Sequence, residues 1–228
     1  KEVYPQWWGA VGDGATDDTS AIQKALVAYQ SVLLPPGTYK TTSVLTMHNR
    51  QHLRGADKNN TSILVSGGCN GIEFDTSHRV MLSNIRIYND TPGVGSGIKI
   101  TRSMCCKIDN VWIGGDVGSG TVYFNRGIEV LGEPSYYNMI MHCYLRRNTY
   151  GVYLYQEGGE AGPNETRIFD CEFMYGSYSV YNLASQGMQI NGNSFEGYTV
   201  MGIYTETSYS HILNNWFEAS NLPAITLA

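Results

Sequence analysis

The chain has 228 residues, 42% of them hydrophobic and only 15% charged, with a formal net charge of -5. That is enough apolar material for one large core, no apolar run is long enough to span a membrane, and the acidic balance argues against a nucleic-acid partner. The 26 glycines and 17 tyrosines point to many turns rather than a helical bundle.

The chain opens at Lys1 without a Met or a signal peptide, and an earlier leader is compatible with that start. The first element is a helix over 17–29, DDTSAIQKALVAY, with Ile22, Ala25, Leu26 and Tyr29 on one stripe. Thr16 or Asp18 is its expected cap, and the acidic pair suits the positive end of the helix dipole. VLLPPGTYK (32–40) reads as a first strand and turn, so residues 1–40 form an N-terminal cap and first strand.

From 41 to 228 the chain repeats itself. One series runs LSNIRI (82–87), IDNVWI (108–113), IMHCYL (140–145), IFDCEF (168–173), INGNSF (190–195) and ILNNWF (212–217). A second series runs GIEF (71–74), GIKI (97–100), GIEV (127–130), GVYL (151–154), SVYN (179–182), GIYT (202–205) and AITL (224–227), at intervals of 26, 30, 24, 28, 23 and 22 residues. Each segment is strand-like, glycine punctuates the turns, and the polar stretch 156–166 is a turn insertion. The pattern is that of an all-β, single-stranded parallel β-helix, whose coils stack about 4.8 Å apart. Phe173, Phe195 and Phe217 then form one inward column, and Ile108, Ile140, Ile168, Ile190 and Ile212 another. Asn193 and Asn215 form an inward amide ladder, in a row that Cys143 and Cys171 fill higher up. The chain ends inside a strand at AITLA (224–228), which reads as a truncated solenoid. The five cysteines (Cys69, Cys105, Cys106, Cys143, Cys171) follow no disulfide or metal spacing and are expected to be buried thiols. His142 and His211 are expected to stand alone, so no metal is expected.

Alternation along the strands defines three outward rows. The first reads Arg86, Trp112, Tyr144, Glu172, Ser194, Trp216, which is either a saccharide groove or a face buried against another subunit. The second reads Glu73, Lys99, Glu129, Tyr153, Tyr181, Tyr204, Thr226, a tyrosine ladder that either supports the sheet or touches a partner. The third reads Tyr88, Gly114, Arg146, Met174, Glu196, Glu218. Glu196 and Glu218 become neighbours on adjacent coils, suited to acid and base roles in glycoside cleavage. Asp170 and Glu172, one coil earlier, are the second acidic pair. The alternative is that these carboxylates only solvate the rim. The substrate-binding set is Trp112, Tyr144, Arg146, Trp216 and Tyr204.

WWGAVGDGATDDTSAIQKAL (7–26), followed by LLPPGTY (33–39), resembles the pectate-lyase-3 type of right-handed β-helix, a group that includes phage tailspikes, glycoside hydrolases and polysaccharide lyases. The resemblance extends over nearly all of the chain. It implies a right-handed β-helix with a carbohydrate polymer as ligand and, for tailspike members, a homotrimer on a virion. Asp13, Asp17 and Asp18 within the motif read as turn and cap residues. Three functions follow as expectations. The first is a tailspike-type depolymerase that hydrolyses a bacterial surface polysaccharide without a cofactor. The second is a polysaccharide lyase acting on a uronate polymer through Arg146, Arg147, Tyr144 and His142. The third is a non-catalytic receptor-binding module, and a secreted bacterial protein is the alternative to a virion component.

Overall fold

The computed structural model describes residues 1–115, 121, 123–156, 161–207 and 209–228. Part of the expected insertion at 156–166, residues 157–160, lies outside them. Among the described residues the strands form three parallel sheets, two of nine strands and one of eight. From Ser31 onward consecutive strands fall on successive sheets, so each coil contributes one strand to each; in the first coil the helix Thr19–Ala28 stands in place of the third sheet's strand, and the molecule is a parallel β-solenoid. No helix among the described residues is long and apolar enough to cross a membrane.

In the middle coils the strands of the first two sheets hold three residues in a half-buried, buried, half-buried order, so a single side chain per strand enters the core. Ile108, Ile140, Ile168, Ile190 and Ile212 are hydrogen-bonded neighbours in one column. Phe173, Phe195 and Phe217 stack face to face with centroids 4.9 and 4.8 Å apart. Both columns agree with the periodicity.

Each repeat segment read as one strand is two. Met81–Ser83 lies on the first sheet and Arg86–Asn89 on the second, with a bend between them. The bend needs one residue with positive φ, and Asn84, Asn110, His142, Asp170 and Asn214 adopt φ between 50° and 55° there. Asparagine and aspartate tolerate the left-handed region better than most residues. The residue after each bend turns inward, which buries Ile85, Val111, Cys143, Cys171 and Asn193.

The expected amide ladder is present. Asn193 Nδ2 donates to the Ile168 carbonyl and to Asn215 Oδ1, both at 3.0 Å, and Asn193 Oδ1 accepts the Cys171 N–H at 2.9 Å. Asn193→Leu leaves these buried groups unpaired and is expected to cost about 1–3 kcal/mol in denaturant unfolding.

The helix spans Thr19–Ala28 and buries Ala21, Ile22, Ala25 and Leu26 against the open first coil. Tyr29 is an extended, partly exposed residue past its end rather than part of the stripe. Gln23 pairs with Thr46 through both its amide oxygen and its amide nitrogen. Thr46 sits on the terminal strand of the third sheet, so Gln23 takes the place of a missing neighbour strand at that edge. Asp18 stands at the N-cap position as expected, but its side chain makes no capping hydrogen bond. Its buried carboxylate accepts the N–H groups of Val11 and Gly12 at 2.7 and 3.0 Å, which ties the Gly-Ala-Val-Gly loop to the helix start. Cys106, Cys143 and Cys171 are buried as expected, but Cys69 is half-buried and Cys105 exposed, because Cys105 occupies a left-handed surface corner.

Candidate functional site

The bends between the first and second sheets stack into a ridge, and the outward row of the second sheet runs beside it. Its register is Arg86, Trp112, Tyr144, Glu172, Ser194, Trp216, as the alternation implies. The upper half of this row is a ladder of rings and cations. The Arg86 guanidinium lies 4.4 Å from the Trp112 ring, and Arg146 lies 5.2 Å from both Trp112 and Tyr144. Lys58 Nζ sits 3.9 Å from the Tyr144 centroid. Cations therefore cover the rings, each contact contributing about 0.5–2 kcal/mol according to its desolvation. Burial lowers the Lys58 pKa from its ordinary value.

Two adjoining cavities share Lys58 and Tyr144. One, of about 410 Å³, is bordered by Lys58, Asn110, His142, Tyr144, Asp170 and Glu172; the other, of about 340 Å³, by Lys58, Asn59, Trp112, Tyr144 and Arg146. Arg146 is ion-paired with Glu172, and Lys58 donates to Asn110 Oδ1. His142 is held by Asp109, whose Oδ1 lies 2.8 Å from Nδ1. Burial pushes the Asp109 carboxyl up, but hydrogen bonds from Lys107 and His142 outweigh it and leave the pKa below the ordinary value. Asp170 reaches over Gly192, where a Cβ would collide with Asp170 Oδ1 and where φ is 73°. Gly192→Ala is expected to displace this carboxylate, read as a moved Asp170 side chain in a crystal structure of the variant, with an unchanged circular dichroism spectrum as the folding control.

The acidic residues singled out in the sequence fall into two groups. Asp170 and Glu172 border one cavity. Glu196 and Glu218 are paired in register further along the same sheet, as expected, but neither borders that cavity. Glu196 accepts from the Tyr175 hydroxyl at 2.9 Å, and Glu218 accepts from Trp216 Nε1 at 3.0 Å. The hydrogen bond to Glu196 raises the Tyr175 pKa. Trp216 is 64% exposed and two coils below Glu172.

Tyr204 is on the third sheet, away from the other proposed sugar contacts. Its ring stacks on Tyr181 with centroids 4.8 Å apart, and Tyr181 stacks on Tyr153 at 5.5 Å. These rings cover one another's faces, which favours a sheet-supporting ladder over a sugar platform. The hydroxyl of Tyr204 donates to Glu206, which pushes its pKa up to about 12.

Lys58, Asn110, Asp109 and Gly192 were not among the expected site residues. Lys58 had one visible signal. Five residues join the strands His52–Gly55 and Thr61–Val65, whereas two suffice between Met81–Ser83 and Arg86–Asn89. The longer connection folds down over later coils. Among the described residues no cluster of three or more His, Cys, Asp or Glu side chains is arranged to hold a metal.

A family model described as rhamnogalacturonase A/epimerase, pectate lyase-like matches residues 7–221. No curated protein matches the chain significantly in sequence. Among solved structures, the chain is similar to ORF18 of Geobacillus virus E2, at 17% identity and TM-score 0.61, over 99% of this chain and 59% of that one. It is similar to the Dettilon tailspike protein at 16% identity and TM-score 0.70, over 99% of this chain and 46% of that one. It is also similar to the catalytic unit of a thermostable GH87 alpha-1,3-glucanase from Streptomyces thermodiastaticus, at 17% identity and TM-score 0.69, over 95% of this chain and 40% of that one. The chain thus spans between 40% and 59% of these three structures, and at such identities the likeness is one of fold.

Proposed function

The chain belongs to the rhamnogalacturonase A/epimerase, pectate lyase-like family, and from that premise we propose that it binds a polysaccharide along the second sheet and hydrolyses it with Asp170 and Glu172. The observation that carries this reading is that both carboxylates border one cavity with Tyr144 and Lys58. Glycoside hydrolysis requires one carboxyl group to protonate the leaving oxygen while another acts as base or nucleophile on the far side of the sugar. Glu172, ion-paired with Arg146, serves as the carboxylate. Asp170 has no ion-pair partner among the described residues and supplies the proton. Trp112, Tyr144, Lys58 and Arg146 position the chain of sugars, and Trp216 extends the groove past Ser194. The likeness in fold to a phage protein and a tailspike favours a virion component; we take the protein as a homotrimeric depolymerase there, with a secreted bacterial enzyme as the alternative.

A lyase reading has one specific observation in its favour. Lys58 and Arg146 converge over Tyr144, where they could neutralise a uronate carboxylate while His142, held by Asp109, removes a proton. Incubation with bacterial capsular and plant cell-wall polysaccharides separates the readings. New reducing ends without ultraviolet absorbance support hydrolysis. Absorbance from a new double bond supports elimination, and binding without products leaves a recognition module.

A further inference from the structure

We propose that a second site, an oxyanion-binding pocket, lies at the corner between the third and first sheets near the N-terminal end. A cavity of about 500 Å³ opens there, bordered chiefly by Gln30, Asn49, Arg50, His78, Arg79 and Cys105. The proposed groove follows a different corner, between the first and second sheets, and the two share no residue.

Three of the bordering side chains are basic and none is acidic, in a chain of net charge -5. The two arginines occupy successive coils in hydrogen-bonded register: the Arg50 N–H donates to the His78 carbonyl and the Arg79 N–H to the Met104 carbonyl, both at 2.9 Å. Arg54, Arg102, Arg126 and Arg146 all have carboxylate partners. Among the described residues, the exposed guanidiniums of Arg50 and Arg79 have neither an ion pair nor a hydrogen bond to the protein. The Nδ1 of His78 is buried and also lacks a hydrogen-bond partner. A bound oxyanion would provide acceptors for this set.

The backbone gives these arginines no reason to be there. Arg50 and Arg79 adopt φ of 62° and 58°, and the equivalent corners further down are taken by Cys105, Tyr137, Glu165, Gly187 and Tyr209 with φ between 49° and 66°, so the corner itself does not call for arginine. Glycine or asparagine meets that requirement with less strain than a long side chain. Two adjacent planar forks are well suited to a phosphate or a carboxylate, which they can grip bidentately. The ligand is therefore either a free inorganic oxyanion or an acidic group carried on a saccharide chain.

Calorimetric titration tests this with inorganic phosphate and, separately, with tetragalacturonate, using maltotetraose as the neutral control. The saccharide arm is run in an Arg146→Ala background so that binding in the groove does not mask the result. The comparison variant is R50N/R79N, because asparagine suits the left-handed corner and preserves the coil, which thermal melting verifies. Wild-type binding of phosphate or of the acidic oligomer, weakened about tenfold per guanidinium removed, supports the pocket. Phosphate binding identifies a free anion; binding of the oligomer alone identifies a polymer-borne carboxylate. If neither probe binds at millimolar concentration, or if the variant binds as tightly as its parent, the pocket is not an anion site.

Discussion

Asp170→Asn and Glu172→Gln are each expected to lower polysaccharide turnover by about a thousandfold or more, read as the release of reducing ends. The expectation follows from position. Asp170 stands at the left-handed bend and Glu172 two residues later on the second sheet, so both carboxylates reach the same cavity while Cys171 between them turns into the core. A sugar lying over Tyr144 would meet a carboxyl group from each side of the bend. Glu196→Gln and Glu218→Gln should retain turnover within about tenfold, because each carboxylate is engaged by Tyr175 or Trp216 outside that cavity and would lose only a contact to distant sugar units. The reverse pattern, with full loss at Glu196 and Glu218 and none at Asp170 and Glu172, would move the reaction to the next two coils along the sheet.

The largest effect on stability is expected at Phe195. Its ring is fully buried between Phe173 and Phe217, at 4.9 and 4.8 Å. Phe195→Ala removes both stacking contacts and leaves a void that the hydrogen-bonded coils above and below hold open, so the cost is about 3–5 kcal/mol. Each coil touches only its neighbours, so the loss should appear as early unfolding of the C-terminal coils ahead of the rest. Hydrogen exchange resolved along the chain measures this directly. Loss of protection spread evenly over all coils would contradict the nearest-neighbour picture. The outward Tyr181, also stacked between two rings, is only half-buried and should cost less when truncated to alanine.

The solenoid was legible because its core is a set of columns. Ile168, Ile190 and Ile212 recur with the coil period and sit in register, so spacing alone placed them on one face. The bends were less visible. Asn84, Asn110 and Asp170 are residue types that accept the left-handed region, but His142 occupies the same position, and a mixed column hides its shared backbone role. The site was half legible for the same reason. Trp112, Tyr144 and Glu172 lie in a periodic row and were found together, whereas Lys58 reaches them from a non-periodic connection several coils away. The row's cationic character was partly hidden: Arg86 lies in the row itself, but Lys58 and Arg146 fold over its rings from other rows and coils. Proximity of Glu196 to Glu218 was read correctly, but the cavity that distinguishes Asp170 and Glu172 from them depends on side-chain direction and on the space left by Gly192.

A crystal structure of the Asp170→Asn variant soaked with an oligosaccharide from wild-type digestion addresses the site itself. Sugar density should run along the second sheet, over Tyr144 and beside Lys58, with a glycosidic oxygen between residue 170 and Glu172. Density lying instead over the Tyr153–Tyr181–Tyr204 ladder, or centred on Glu196 and Glu218, would contradict the assignment.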